Sequence, residues 1–194
     1  MGFLRRSGVV LFSLSLPVFA GSSVQSIHNF YQVDNHVYRG AQPDEEGFQY
    51  LAKIGVKTVV DLRASEERSD EERKLVAAAG MNYVHVPMTG LTPPSEDEIS
   101  KVLRILEDSS TGPVFVHCKR GADRTGTVIA AYRIDHDGWD NARALSEAMS
   151  FRMSSLQFPR MNYIRAFQHH TVQPQANAGE SALRLDQPVA AALP

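Results

Sequence analysis

Pro113-Val114-Phe115-Val116 is a short apolar strand that runs directly into His117-Cys118-Lys119-Arg120-Gly121-Ala122-Asp123-Arg124-Thr125-Gly126. A helical pattern follows from about Thr125, with Val128, Ile129 and Tyr132 on its apolar side. A strand without a polar position is covered on both faces. It feeds a helix through a short loop, and the strand–helix alternation along the chain argues for a mostly parallel α/β sheet with helices on both faces. In such sheets ligands bind beyond the carboxyl ends of the strands, which is where residues 117–126 fall.

The rest of the chain supplies matching pieces. His36 to Arg39 reads as a short strand ending in the turn Gly40-Ala41-Gln42-Pro43, and Asp44 caps a helix that runs to about Ile54. Gly55 stops that helix, and Val56 to Leu62 reads as a buried strand. A charged helix is expected from about Ser65 to Ala79, ended by Gly80, and then a strand over Tyr83 to Val86. Ser95 and Glu98 have capping-box spacing, and Ile99, Val102, Leu103 and Leu106 form the stripe of the helix behind them. Two further helices are expected around Asn141 to Phe151 and Phe158 to Gln168.

The chain has 194 residues, 43% of them hydrophobic, enough for one core and one domain. We place that domain at 36–170, after a lead-in at 21–35 and before a Gln-, Ala- and Pro-rich flexible tail at 171–194. Arg5 and Arg6, the apolar stretch Val9 to Phe19 and Val18-Phe19-Ala20 read as a signal peptide at 1–20, with an uncleaved membrane anchor as the alternative. Export to the periplasm or medium is then expected, with no stable membrane span after cleavage. The net charge of -2 gives no reason to expect a nucleic-acid partner, so attraction for an anionic substrate has to be local. We expect a monomer.

Each part of residues 117–126 has a chemical use. A glycine-containing loop at a helix N-terminus turns backbone N–H groups on one anion, and Lys119, Arg120, Gly121, Ala122, Thr125 and Gly126 would line that cradle. Cys118 is the only cysteine, and positive potential at the base of the loop favours its thiolate. Arg124 offers a planar fork to two phosphate oxygens. The Thr125 hydroxyl is placed to stabilise the sulfur as a leaving group, and His117 is expected to point away and brace the loop. Lys119 and Arg120 suit substrates with more than one phosphate, or are ordinary solvated residues. Arg39 and Arg63 belong to the rim or to structural ion pairs.

The segment H-C-x5-R-T-G resembles the signature of the protein tyrosine phosphatase superfamily. Val37-Tyr38-Arg39-Gly40-Ala41-Gln42-Pro43, Asp61-Leu62-Arg63 and the stops at Gly55 and Gly80 are similar to its compact atypical dual-specificity branch, over residues 36–169. The resemblance implies a hydrolase in which Cys118 attacks phosphorus, Arg124 binds the phosphoryl oxygens and water releases phosphate, with no metal or cofactor. Phosphotyrosine protein, phosphoinositide and soluble inositol phosphate are all open as substrates.

The family's usual acid, an aspartate on a separate loop, is missing: Val86-Pro87-Met88-Thr89-Gly90-Leu91-Thr92-Pro93-Pro94 contains no carboxylate. Asp123 stands where myotubularin-like lipid phosphatases carry an aspartate considered the acid, and we expect it to take that role. Glu96, Asp97 and Glu98 are the alternatives, although in a first helical turn they read as dipole partners. Two other functions compete: a rhodanese-like sulfurtransferase and a phosphate-binding module with little turnover.

Overall fold

The computed structural model describes residues 27–64 and 66–169. The expected signal peptide and C-terminal tail lie outside them. Five strands form one sheet: β1 (Tyr31–Gln32), β2 (Val37–Ala41), β3 (Thr58–Asp61), β4 (Asn82–His85) and β5 (Val114–Cys118). Their order is β1-β2-β5-β3-β4, with β5 central; only the β1–β2 pairing is antiparallel.

Six α-helices connect and follow the strands: α1 (Glu45–Lys53), α2 (Glu66–Ala78), α3 (Glu96–Glu107), α4 (Asp123–Asp135), α5 (Asn141–Ser150) and α6 (Phe158–Ala166). Asp44 accepts from the Gly47 N–H to cap α1, and Ser95 with Glu98 forms the expected capping box on α3. Gly55 and Gly80 adopt φ of 96° and 77°, as helix stops that only glycine adopts without strain.

Strand alternation divides the core in two. Val114, Val116 and Cys118 of β5 face one cluster with Ile99, Val102, Leu103, Val128, Ala144 and Ile164, from α3 to α6. Phe115 faces the other, with Phe48 and Leu51 of α1 and Val76 of α2. Helices therefore cover both faces, as expected.

Two boundaries depart from the sequence reading. The lead-in at 21–35 contributes β1, and Ile27 is buried in the α1–α2 core, so ordered structure starts before residue 36. That pairing is tertiary, and a two-residue exposed strand has no sequence period to reveal it. Helix α4 begins at Asp123 instead of Thr125, which puts Asp123 and Arg124 in its first turn. Among the described residues no helix is long and apolar enough to cross a membrane.

Candidate active site

Cys118 ends the central strand, and the chain turns from it through 119–122 into α4. Gly121 makes the turn with φ of 65°. A Cβ there would stand 2.3 Å from the Gly40 carbonyl carbon, so backbone proximity and dihedral both require glycine. The Gly121 carbonyl accepts from Asn29 Nδ2 (3.0 Å) and Arg39 Nη2 (2.8 Å). Ala122, the N-cap of α4, makes no side-chain capping bond, whereas α1, α3 and α5 are capped by Asp44, Ser95 and Asp140. The first turn of α4 thus keeps its amide dipoles for an anion.

Cys118 is 2% exposed. Burial works against ionisation, but the Thr125 hydroxyl and N–H, the Arg124 charge and the Arg120 N–H outweigh it and hold the thiol below its ordinary value. The Thr125 hydroxyl is buried and has no oxygen or nitrogen partner, leaving it to the sulfur. Arg124 is half-buried, and its Nη1 reaches the Leu62 (3.3 Å) and Met88 (3.4 Å) carbonyls.

His117 faces away from Cys118 by strand alternation. Its Nε2 lies 2.7 Å from Glu72 Oε1, and its Nδ1 faces the Cys118 carbonyl at 3.4 Å. Glu72 and Asp61 both bond to Arg63, each at 2.6 Å. Arg63 is therefore a structural ion-pair residue. Asp61, Glu72 and His117 present ligand atoms within 4.8 Å of one another, a grouping that could hold a metal. Here Arg63 already bridges both carboxylates and supplies one of the two positive charges they need. Burial pushes the Asp61 carboxyl up, but Arg63 and His117 bring it down to about 2.

Asp123 is 7% exposed, and both of its oxygens are engaged. Oδ2 accepts from Arg120, and Oδ1 accepts from the Ser154 N–H at 2.8 Å. Lys119 and Arg120 are exposed at the rim, while Ala122, Thr125 and Gly126 are buried in the turn and first helical turn. Gly126 lies under α5, where a Cβ would meet Met153 Cε at 3.1 Å. Glu98 is committed to its capping box.

The structure also brings in residues that the sequence reading passed over. A cavity of about 610 Å³ opens beside the loop, lined by Lys119, Arg120 and Ala122 and by His28, Asn29, Ala41 and Arg152. Glu72 belongs to a buried stripe, Ser69, Glu72 and Val76, whose helical spacing was the available signal. Arg160 of α6 is fully buried and donates to the Thr89 carbonyl.

Residues 17–166 match the family described as DSP-PTPase phosphatase fused to NAD+ kinase. The chain belongs to this dual-specificity, tyrosine-phosphatase-type family. Within it, the chain is 36% identical over 132 residues to the dual specificity protein phosphatase TpbA of Pseudomonas aeruginosa, covering 68% of the chain and 57% of TpbA. The chain thus spans little more than half of that relative. It is 27% identical over 143 residues to the inositol diphosphatase DSP3 of Arabidopsis thaliana, covering 72% and 70%. The crystal structure of P. aeruginosa TpbA superposes with a TM-score of 0.65 at 30% identity, over 75% of this chain and 88% of that one. The expected family and fold are both found.

Proposed function

We propose that the chain is a phosphomonoester hydrolase that works through a phosphocysteine on Cys118. The observation that carries this reading is the buried thiol of lowered pKa at the foot of an uncapped helix whose first turn also presents Arg124. Nucleophile, amide dipoles and a guanidinium fork converge there, which is what an attacked phosphoryl dianion needs.

The Cys118 thiolate attacks phosphorus, and the phosphorus–oxygen ester bond breaks. Arg124 and the amides of the first turn of α4 hold the equatorial oxygens. Asp123 gives its proton to the departing oxygen. It then takes one from the water that attacks the phosphocysteine; the phosphorus–sulfur bond breaks, Thr125 stabilises the leaving thiolate and inorganic phosphate departs. In the unliganded arrangement Arg120 occupies Asp123 Oδ2. The Arg120 side chain is 66% exposed, and turning it to a second phosphate of the substrate frees that oxygen.

Substrates are phosphotyrosine-type proteins or phosphoinositides and inositol phosphates; the relatives named as a dual specificity protein phosphatase and an inositol diphosphatase support the protein and the inositol phosphate readings. The cavity beside the loop favours substrates with more than one phosphate. Its lining carries Lys119, Arg120 and Arg152 together with His28, and no carboxylate. A thiol of lowered pKa beside Arg124 favours turnover over a binding module.

The test is hydrolysis of an aryl phosphate by the purified protein, with and without excess chelator. Chelator-resistant turnover supports the reading, and absence of turnover under reducing conditions refutes it. The basic and apolar N-terminus supports export with cleavage after Ala20. Sequencing the N-terminus of the mature protein tests that proposal.

A further inference from the structure

Two arginines near the loop, Arg39 on β2 and Arg160 on α6, have none of their surface exposed. Neither is bonded to a carboxylate among the described residues. Arg39 donates one bond, from Nη2 to the Gly121 carbonyl, and lies 4.1 Å over the Phe151 ring. Arg160 donates from Nη2 to the Thr89 carbonyl. In both, Nε and Nη1 are buried without a hydrogen-bond partner.

A guanidinium keeps its charge when buried, and burying it without a counter-ion is costly. Burial lowers both arginines, Arg39 to about 10. Glu147, Cys118 and Arg133 also act on Arg39; Arg124, Asp123, Cys118 and Glu98 act on Arg160. The three carboxylates are already committed: Glu147 to Arg133, Asp123 to Arg120, and Glu98 to its capping box. Cys118 is the one anion that acts on both arginines; on the thiol itself the Thr125 and Arg124 contacts weigh more, and the two buried charges add to them.

The contacts they make are equally suggestive. In a trans peptide the C=O and the next N–H point in opposite directions. By holding the Gly121 carbonyl, Arg39 fixes the plane of the Gly121–Ala122 peptide and with it the direction of the Ala122 N–H. Arg160 holds the Thr89 carbonyl, next in the chain to the Met88 carbonyl on which Arg124 rests, and Gln157 Nε2 holds the Gly90 carbonyl at 3.1 Å. A well-packed apolar side chain would stabilise either position at least as well.

We propose that Arg39 and Arg160 are positioning residues whose buried, unpaired charges hold Cys118 as a thiolate and the loop ready for a phosphoryl dianion. The proposal rests on the phosphatase reading for its purpose. Its readout, the ionisation of a thiol, requires no turnover.

The experiment is the pH dependence of Cys118 alkylation by iodoacetamide in the full chain, for wild type and for Arg39→Met, Arg39→Lys, Arg160→Met and Arg160→Lys. Folding of each variant is checked by circular dichroism and thermal melting. Removing either charge should raise the alkylation midpoint by about one pH unit or more. Lysine keeps the charge without the fork, and should hold the midpoint near wild type even if it slows turnover. A purely structural role would not distinguish Lys from Met in this titration. Folded Met variants that titrate like wild type overturn the proposal. Where a Met variant does not fold, its Lys counterpart decides, and a Lys variant with a midpoint raised by about one unit overturns it equally. Failure to hydrolyse any phosphate ester, with these shifts present, would count against the phosphatase reading alone.

Discussion

Nε2 of His117 lies 2.7 Å from Oε1 of Glu72, with side chains 0% and 2% exposed. The contact is ionic, without ideal hydrogen-bond alignment, and neither atom has another partner. Counted with Asp61 and Arg63, the cluster behind the nucleophile holds two anions and two cations, provided that the imidazole is protonated. Burial pulls the His117 pKa down, but Glu72 and Asp61 overcome it and leave it raised. The strand that ends in Cys118 is thus braced from its far face by a buried, electrically balanced group.

Glu72→Gln should destabilise the fold by about 3–5 kcal/mol, the usual cost of breaking a buried pair. The deficit should depend on pH. Because the folded-state pKa of His117 is raised, its contribution is complete below the unfolded value of about 6.5 and is lost as pH rises through the folded value. Urea unfolding at a series of pH values should therefore show wild type and variant converging toward alkaline pH. A constant gap would mean that His117 is not the titrating partner.

Asp123→Asn should slow alkyl phosphates of inositol by about 10²–10⁴-fold and activated aryl phosphates much less, since a good leaving group departs without a proton. The acid limb of the pH–rate profile, set by Cys118, should remain while the basic limb flattens. Asp97→Asn should change neither limb. Equal slowing of both substrate types would assign Asp123 to loop structure through Arg120 and Ser154, its partners here.

Lys119→Ala and Arg152→Ala should each lower kcat/KM for an inositol polyphosphate by about tenfold, the loss of one charge-assisted contact. An aryl monophosphate should be turned over nearly as before. Steady-state kinetics on the two substrates test this, and equal losses on both would show that the cavity beside the loop serves the reacting phosphate.

What could be read from the sequence follows from how local each signal is. The strand, loop and helix around Cys118 are contiguous, and α3 announces itself through Ser95, Glu98 and its stripe at 99, 102, 103 and 106. The start of α4 at Asp123 was missed because Ala122 has no capping side chain, and that same lack suits the helix to an anion. Glu72 was hidden among the exposed charges of α2, although its spacing with Ser69 and Val76 marked a buried face. Arg39 and Arg160 could not be recognised as buried, because nothing local distinguishes a buried arginine from a solvated one. Their place is set by Gly121 and Thr89, 82 and 71 residues away in sequence.

The central claim is that Cys118 carries the phosphoryl group. It is tested most directly by acid-quenching the protein during turnover of an aryl phosphate and locating added mass on its peptides. One phosphoryl group on the peptide containing Cys118, absent from Cys118→Ser, is the predicted result. Full turnover by Cys118→Ser, or a trapped phosphoryl group on any other residue, would contradict the account.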